Sequence, residues 1–201
     1  MSKKTEKQIT NGMLLLVRHG ETRLTGTYCG STSPSLSRRG IAQARSAARL
    51  LAQYPIDRCY VSPLLRAKQT AAIIHRRIPV VFTRHSSLRE IHFGDWEGLR
   101  FQDIKRKWPA LARRWVQHPS SVRIPRAETV GSLRKRIKRF LGLLGRRFSN
   151  RNVLIVAHGG SLSSIVLERL KLPNKEFLKH IQPPGSIRMI QGRTVKWIHP
   201  C

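Results

Sequence analysis

Two histidines stand where apolar runs end. "MLLLVRHGETRLTG" begins at Met13 and carries Arg18 and His19 at the close of five apolar residues, and "VLIVAHGGS" begins at Val153 and closes on His158 and two glycines. A third stretch, "VSPLLRAKQTA", supplies Arg66, and a fourth, "LREIHFGDWEG", supplies Glu90. Two arginines, two histidines and a carboxylate are a coherent set for handling a phosphate. Forked guanidinium donors grip its oxygens, and glycine-exposed amides at a helix start add partial positive charge. A neutral imidazole can attack phosphorus, and surrounding cations disfavour its protonated form, which keeps the lone pair available. A carboxylic acid can protonate a departing alkoxide and then, as carboxylate, activate water. Taken singly each residue is weak, since a histidine after a strand is usually structural. The combination is far more specific.

The elements that must position these groups alternate. Strand-length apolar runs occur at 13–17, 59–61, 80–82, 153–157 and 186–190. Between them, residues 37–54 open with Ser37 as N-cap and place Ile41, Ala44, Ala48 and Leu51 at helical spacing. Residues 63–77 follow the second run, 132–148 align Leu133, Ile137, Leu141 and Leu144 on one stripe, and 161–170 form a last helix before Pro173. The pattern predicts an α/β fold, a three-layer sandwich whose mostly parallel central sheet has helices on both faces. In such sheets functional groups collect beyond the carboxyl ends of the strands. Arg18, His19, Arg66 and His158 then share one sheet edge. The expected organisation is a polar tail over residues 1–12 and one domain over 13–201, with 100–126 inserted as helix and loop over the active site.

Composition narrows the class. The 201 residues include 39 Lys plus Arg against 10 Asp plus Glu, a net charge of +29, with 40% hydrophobic residues. That field suits polyanions, so nucleic acid is a conceivable partner. The "RKRIKR" tract at 134–139 nonetheless fits the solvated face of an amphipathic helix, and that reading is favoured. No apolar run is long enough to span a membrane, and the polar start of the chain points to the cytoplasm. Cys29, Cys59 and Cys201 match neither a disulfide framework nor a metal pair. His85 and His92 flank Glu90 without the spacing of a closed metal site. His75, His118, His180 and His199 are assigned to the surface or to local hydrogen bonds.

"LLLVRHGET", "SLSRRGIAQA", "YVSPLLRAKQTA", "LREIHFGDWEG" and "VLIVAHGGSL" together resemble the histidine phosphatases, the phosphatase branch of the phosphoglycerate mutase-like superfamily. They span the chain from Met13 to about residue 190, in that family's order. The resemblance implies a phosphomonoesterase with His19 as the phosphorylated nucleophile and Glu90 as acid and then base. It implies Arg18, Arg66 and His158 as phosphoryl ligands, with Thr22, Cys29 and Gly159 lining the phosphate site. It implies a small phosphate monoester as substrate, with neither metal nor organic cofactor, and α-ribazole 5′-phosphate of cobalamin biosynthesis as one candidate.

Departures fall on the leaving-group side. "TYCG" stands where many relatives carry a glutamine, the loop from Thr22 to Tyr28 is short, and "PRAET" leaves Glu128 as a supporting or substrate-contacting residue. Asp95 and Glu97 are assigned to turn and surface, and Trp96 to core or pocket wall. Nearby cations favour the ionised form of Glu90 whereas an acid must hold a proton, so its proton is expected to be coupled to substrate binding. Two alternatives stand beside hydrolysis. One is mutase-type phosphoryl transfer, disfavoured by the short 100–126 segment. The other is a catalytically idle, basic RNA-binding relative.

Overall fold

The computed structural model describes residues 12–147 and 150–198. The tail expected over 1–12, apart from Gly12, lies outside the described residues, as do His199 and Cys201.

Six strands form one sheet: β1 (Leu14–Arg18), β2 (Arg58–Val61), β3 (Phe82–Arg84), β4 (Val153–Ala157), β5 (Ile187–Gln191) and β6 (Thr194–Ile198). Their order is β3-β2-β4-β1-β5-β6. β3, β2, β4 and β1 run parallel, β5 pairs antiparallel with β1, and β6 pairs antiparallel with β5. The helices are α1 (Arg38–Leu51), α2 (Leu65–His75), α3 (Phe101–Lys107), α4 (Pro109–Gln117), α5 (Val130–Arg147) and α6 (Gly159–Leu170).

Alternation along β1 makes the two cores. Leu15 and Val17 pack with Ala47, Leu51, Ala71 and Ile74 of α1 and α2. Leu14 and Leu16 pack on the other face with Leu133, Ile137, Leu162 and Ile165 of α5 and α6. Both faces of β1 and β4 are thus covered, which is why their sequences are continuously apolar.

Three expectations need correction. The strand placed at 80–82 forms at Phe82–Arg84, because Val80 turns into the core while the exposed Val81 uses its carbonyl to accept from the Cys59 amide. The edge strand β6 was not anticipated. Its "TVKWI" is largely exposed, follows a two-residue loop that starts at Gly192 (φ 58°), and is held by the Arg188 guanidinium over the Trp197 ring. Ile41 faces outward, and Gly40 takes the buried place near the start of α1. The Ser37 cap is as expected, accepting from the Gly40 amide.

Most of the α5 tract is solvated, with two exceptions. Arg134 pairs with Glu168 at 2.6 Å and Arg136 with Glu128 at 2.8 Å, all four side chains being about four-fifths buried. Among the described residues, no helix is long and apolar enough to cross a membrane.

Gly20 and Gly40 bring the loop after β1 against α1. A Cβ on Gly20 would lie 2.2 Å from the Gly40 carbonyl oxygen, and one on Gly40 would lie 2.0 Å from that of Glu21. Alanine is ordinarily better than glycine in a helix by about 1 kcal/mol. Here the sign reverses, because backbone cannot yield: Gly40→Ala should destabilise by about 1–3 kcal/mol in urea denaturation, and Ala42→Gly on the exposed face should cost no more than about 1 kcal/mol.

Candidate active site

The sheet register brings the two histidines together. Arg18 is level with Ala157 across β1 and β4, and the His19 amide donates to the Ala157 carbonyl at 3.0 Å. His158 follows directly on the neighbouring strand. Their rings lie 5.0 Å apart, tilted at 59°. Both are buried, although histidine is seldom at ease there.

Hydrogen bonds set the tautomers. His19 Nδ1 sits 2.7 Å from the Gly20 carbonyl oxygen, which can only accept. The proton is therefore on Nδ1, and Nε2 carries the lone pair. Arg66 Nε donates to that Nε2 at 3.2 Å and to His158 Nδ1 at 3.2 Å. His158 Nδ1 is thereby an acceptor, so its Nε2–H donates to the Ser62 hydroxyl at 2.7 Å. Burial first, then the Arg66 and Arg18 charges, hold the His19 imidazolium pKa well below 6.5, against a smaller opposing pull from the Gly20 carbonyl. Burial and Arg66 do the same to His158. Both rings are neutral.

Arg66, itself 1% exposed, pairs with no carboxylate among the described residues. Its terminal nitrogens donate to backbone carbonyls of the loop that follows Tyr28: Nη1 to Thr32 at 2.5 Å, Nη2 to Cys29 and Gly30 at 3.0 Å each. Glu97 holds that loop. Its carboxylate accepts from the amides of Gly30 (3.1 Å), Ser31 (3.0 Å) and Phe93 (3.0 Å) and from the Thr32 hydroxyl (3.3 Å). Burial alone would raise the Glu97 pKa, but these donors outweigh it and hold it below the usual carboxylate value. Glu97 is half-buried, and its carboxylate is engaged rather than free in solvent. It fastens the carbonyls that aim Arg66.

Glu90 lies at the start of α6. Its carboxylate accepts from the amides of Gly160 (3.0 Å) and Ser161 (3.2 Å), donors a helix N-terminus leaves unpaired, and from that of the adjacent Ile91 (3.0 Å). A Cβ at Gly160 would come within 2.6 Å of it, so glycine there is what admits the carboxylate. The turn bearing Glu90 is fixed from behind by Arg136, which donates to the carbonyls of Ser87, Arg89 and Glu90 and is paired with Glu128. Glu128 supports the site and does not line its cavity.

Arg18 donates through Nη1 to the Gln182 carbonyl, while its Nε is a buried donor with no partner. Such a group marks a place for a ligand oxygen. These residues open on a cavity of about 280 Å³ that Arg18, His19, Arg66, Glu90, Thr22, Cys29 and Gly159 all line. His158 stands behind His19 and Arg66, fully buried. Trp115, from the 100–126 segment, also lines the cavity. Trp96 is core and Asp95 pairs with Arg126 at the surface. His85 and His92 serve their own turns, accepting through Nδ1 from the amides of Ser87 and Gly94. Residues missed from sequence include Ser62 and Thr70, whose hydroxyl accepts from the Gly20 amide at 3.1 Å. Both lie inside the stretch that carries Arg66, at the strand end and one helical turn on.

Residues 14–198 match the profile of the Histidine phosphatase superfamily (branch 1). Phosphoserine phosphatase 1 of Hydrogenobacter thermophilus is 35% identical over 147 residues, 72% of this chain and 70% of that protein. The adenosylcobalamin/alpha-ribazole phosphatase of Salmonella typhimurium is 32% identical over 162 residues, 80% of each chain. The crystal structure of the alpha-ribazole phosphatase from Shigella flexneri superposes with a TM-score of 0.80 at 26% identity, covering 92% of this chain and 94% of that one.

Two outcomes follow from the geometry. Glu97→Ala releases the loop that aims Arg66, so inorganic phosphate binding, by titration calorimetry, should weaken about 10- to 100-fold. The fold should persist by circular dichroism. The unfolded chain protonates both imidazoles near pH 6.5, and the folded chain only well below that. The unfolded state thus binds more protons in that window. Stability is full above pH 6.5 and falls as pH drops towards the folded values, by up to about 1.4 kcal/mol per pH unit for each ring. Urea midpoints at pH 7.5 and 5.5 measure this, and asparagine at both positions should flatten the slope.

Proposed function

This chain belongs to the histidine phosphatase superfamily, and we propose that it hydrolyses small phosphate monoesters in two steps, with His19 as nucleophile and Glu90 as proton donor and then acceptor. The observation that carries this reading is the tautomer of His19. Its Nδ1–H is committed to the Gly20 carbonyl, and Nε2 is left with its lone pair beside Arg66 in a cradle whose cations await an anion.

In the first step Nε2 attacks phosphorus and the ester P–O bond breaks. The leaving alkoxide takes the proton of the Glu90 carboxylic acid. The phosphorylated ring gains positive charge, which the Gly20 carbonyl stabilises through Nδ1–H. Arg66 Nε–H, freed from the lone pair, turns to a phosphoryl oxygen. Arg18 Nε, without a partner among the described residues, supplies a second donor, and the carbonyls of Cys29, Gly30 and Thr32 keep Arg66 aimed. Thr22, Cys29 and Gly159 shape the phosphate end of the cavity. In the second step the Glu90 carboxylate takes a proton from water as its oxygen attacks phosphorus. The P–N bond breaks, and His19 returns to neutrality. Charge stabilisation by oriented donors in a water-poor site accounts for most of the acceleration.

Likeness to the Salmonella protein supports α-ribazole 5′-phosphate as one substrate, and likeness to the Hydrogenobacter protein supports phosphoserine. Mutase chemistry shares the first step, so the products decide. Hydrolysis yields free phosphate and no isomer of the ester. His19→Ala should lower turnover by about 10³-fold or more and abolish the acid-labile phosphoenzyme trapped by quenching. Glu90→Gln should cost about 10²- to 10⁴-fold, and less with p-nitrophenyl phosphate, whose leaving group needs no proton. Because the His19 pKa is held well below 6.5, the free enzyme should keep its kcat/KM at pH 6.5 and lose it only in more acid solution. Undiminished phosphate release by His19→Ala, or RNA binding without any turnover, would overturn the proposal.

A further inference from the structure

The cavity is not polar throughout. Tyr28, Phe93, Trp115 and Phe177 also line it, one ring from each of four separate segments. The rings meet edge to face, with centroids 4.8 Å apart for Tyr28–Phe93, 6.1 Å for Phe93–Trp115 and 6.3 Å for Trp115–Phe177. Ile91, Leu178 and Ile181 continue the apolar surface. Leu24 lines the mouth and stays 40% exposed, an apolar side chain that the protein's own core does not cover.

The charges around this space are as telling. Arg18 and Arg66 are the cations among the lining residues, and both belong to the phosphoryl end. Arg66 has its terminal nitrogens on loop carbonyls, so they are not free for a second anionic group. Two carboxylates, Glu21 and Glu90, line the same cavity. A carboxylate or second phosphate on the substrate would meet aromatic rings and like charges, with no cation among the lining residues beyond Arg18 and Arg66, which is costly. A flat apolar group gains roughly 25 cal/mol for each Å² it buries there, and edge-to-face contact with such rings adds to it.

We infer that this cavity selects phosphate esters whose leaving alcohol is uncharged and carries an aromatic ring, and disfavours esters that bear a carboxylate or a second phosphate. The inference rests on the phosphatase reading above and narrows its substrate class. It sets phosphoserine and phosphoglycerates apart from the preferred substrates.

Phosphate release from 2-phenylethyl phosphate, ethyl phosphate, phosphoserine and 3-phosphoglycerate tests it, since all four release an alkoxide of similar kind. The expected order of kcat/KM places 2-phenylethyl phosphate first and 3-phosphoglycerate last, about tenfold or more apart. Leu24→Arg, at an exposed position, should narrow that gap at least about threefold by giving a carboxylate a partner. Phosphoserine or 3-phosphoglycerate equal to or better than 2-phenylethyl phosphate would overturn the inference and leave the hydrolytic mechanism standing. So would a Leu24→Arg variant with an unaltered ratio. No release from any ester, p-nitrophenyl phosphate included, would overturn both.

Discussion

One N–H group organises the site. Arg66 Nε is shared between the two imidazoles, and this bond fixes which nitrogen of each ring is bare. A buried guanidinium without an acidic partner is ordinarily unfavourable. Here three backbone carbonyls take the place of a counterion. They solvate the cation without neutralising it, so its charge remains available to a bound anion. A carboxylate in their place would stabilise the protein more simply and cancel the field that phosphate chemistry needs.

That arrangement imposes requirements outward. The loop carbonyls need Glu97, which collects four donors to hold them. The rings need strands in register, and the parallel pairing of β1 with β4 and β4 with β2 sets His19, His158 and Ser62 side by side. Glu90 needs a helix that starts with two glycines and a turn fastened by Arg136. Each requirement is met by backbone polar groups more than by side-chain pairs, which is how a chain with so few acids builds a site this polar.

The central sheet and the residues that gather at the candidate site were legible in sequence because each sits on a strong local signal. Continuous apolar runs mark covered strands, and polar residues at their carboxyl ends mark the edge where ligands bind. The rest was illegible for identifiable reasons. Glu97 lies in a Gly-Asp-Trp-Glu-Gly turn that reads as surface, and two of its partners are backbone amides 67 and 66 residues away, which leave no trace in side-chain types. Arg134 and Arg136 are two of five cations in a six-residue tract, and nothing local distinguishes the two that turn inward. Ser62 is an unremarkable serine until β2 and β4 are paired. Strand β6 is half a hairpin on an open edge, stabilised by an arginine over a tryptophan, and with only Val195 and Trp197 on one face it is too short and too exposed to announce itself.

The orphaned Arg18 donor and the two neighbouring guanidinium groups carry a last consequence. Whatever receives the ester also receives the inorganic phosphate that hydrolysis leaves behind. That anion quiets the mutual repulsion of the arginines and engages only the folded chain. Each tenfold rise in its concentration above the dissociation constant adds about 1.4 kcal/mol to folding stability. On the proposed reaction the molecule is most robust when its own product occupies it and least so when the two arginines face each other without an anion between them.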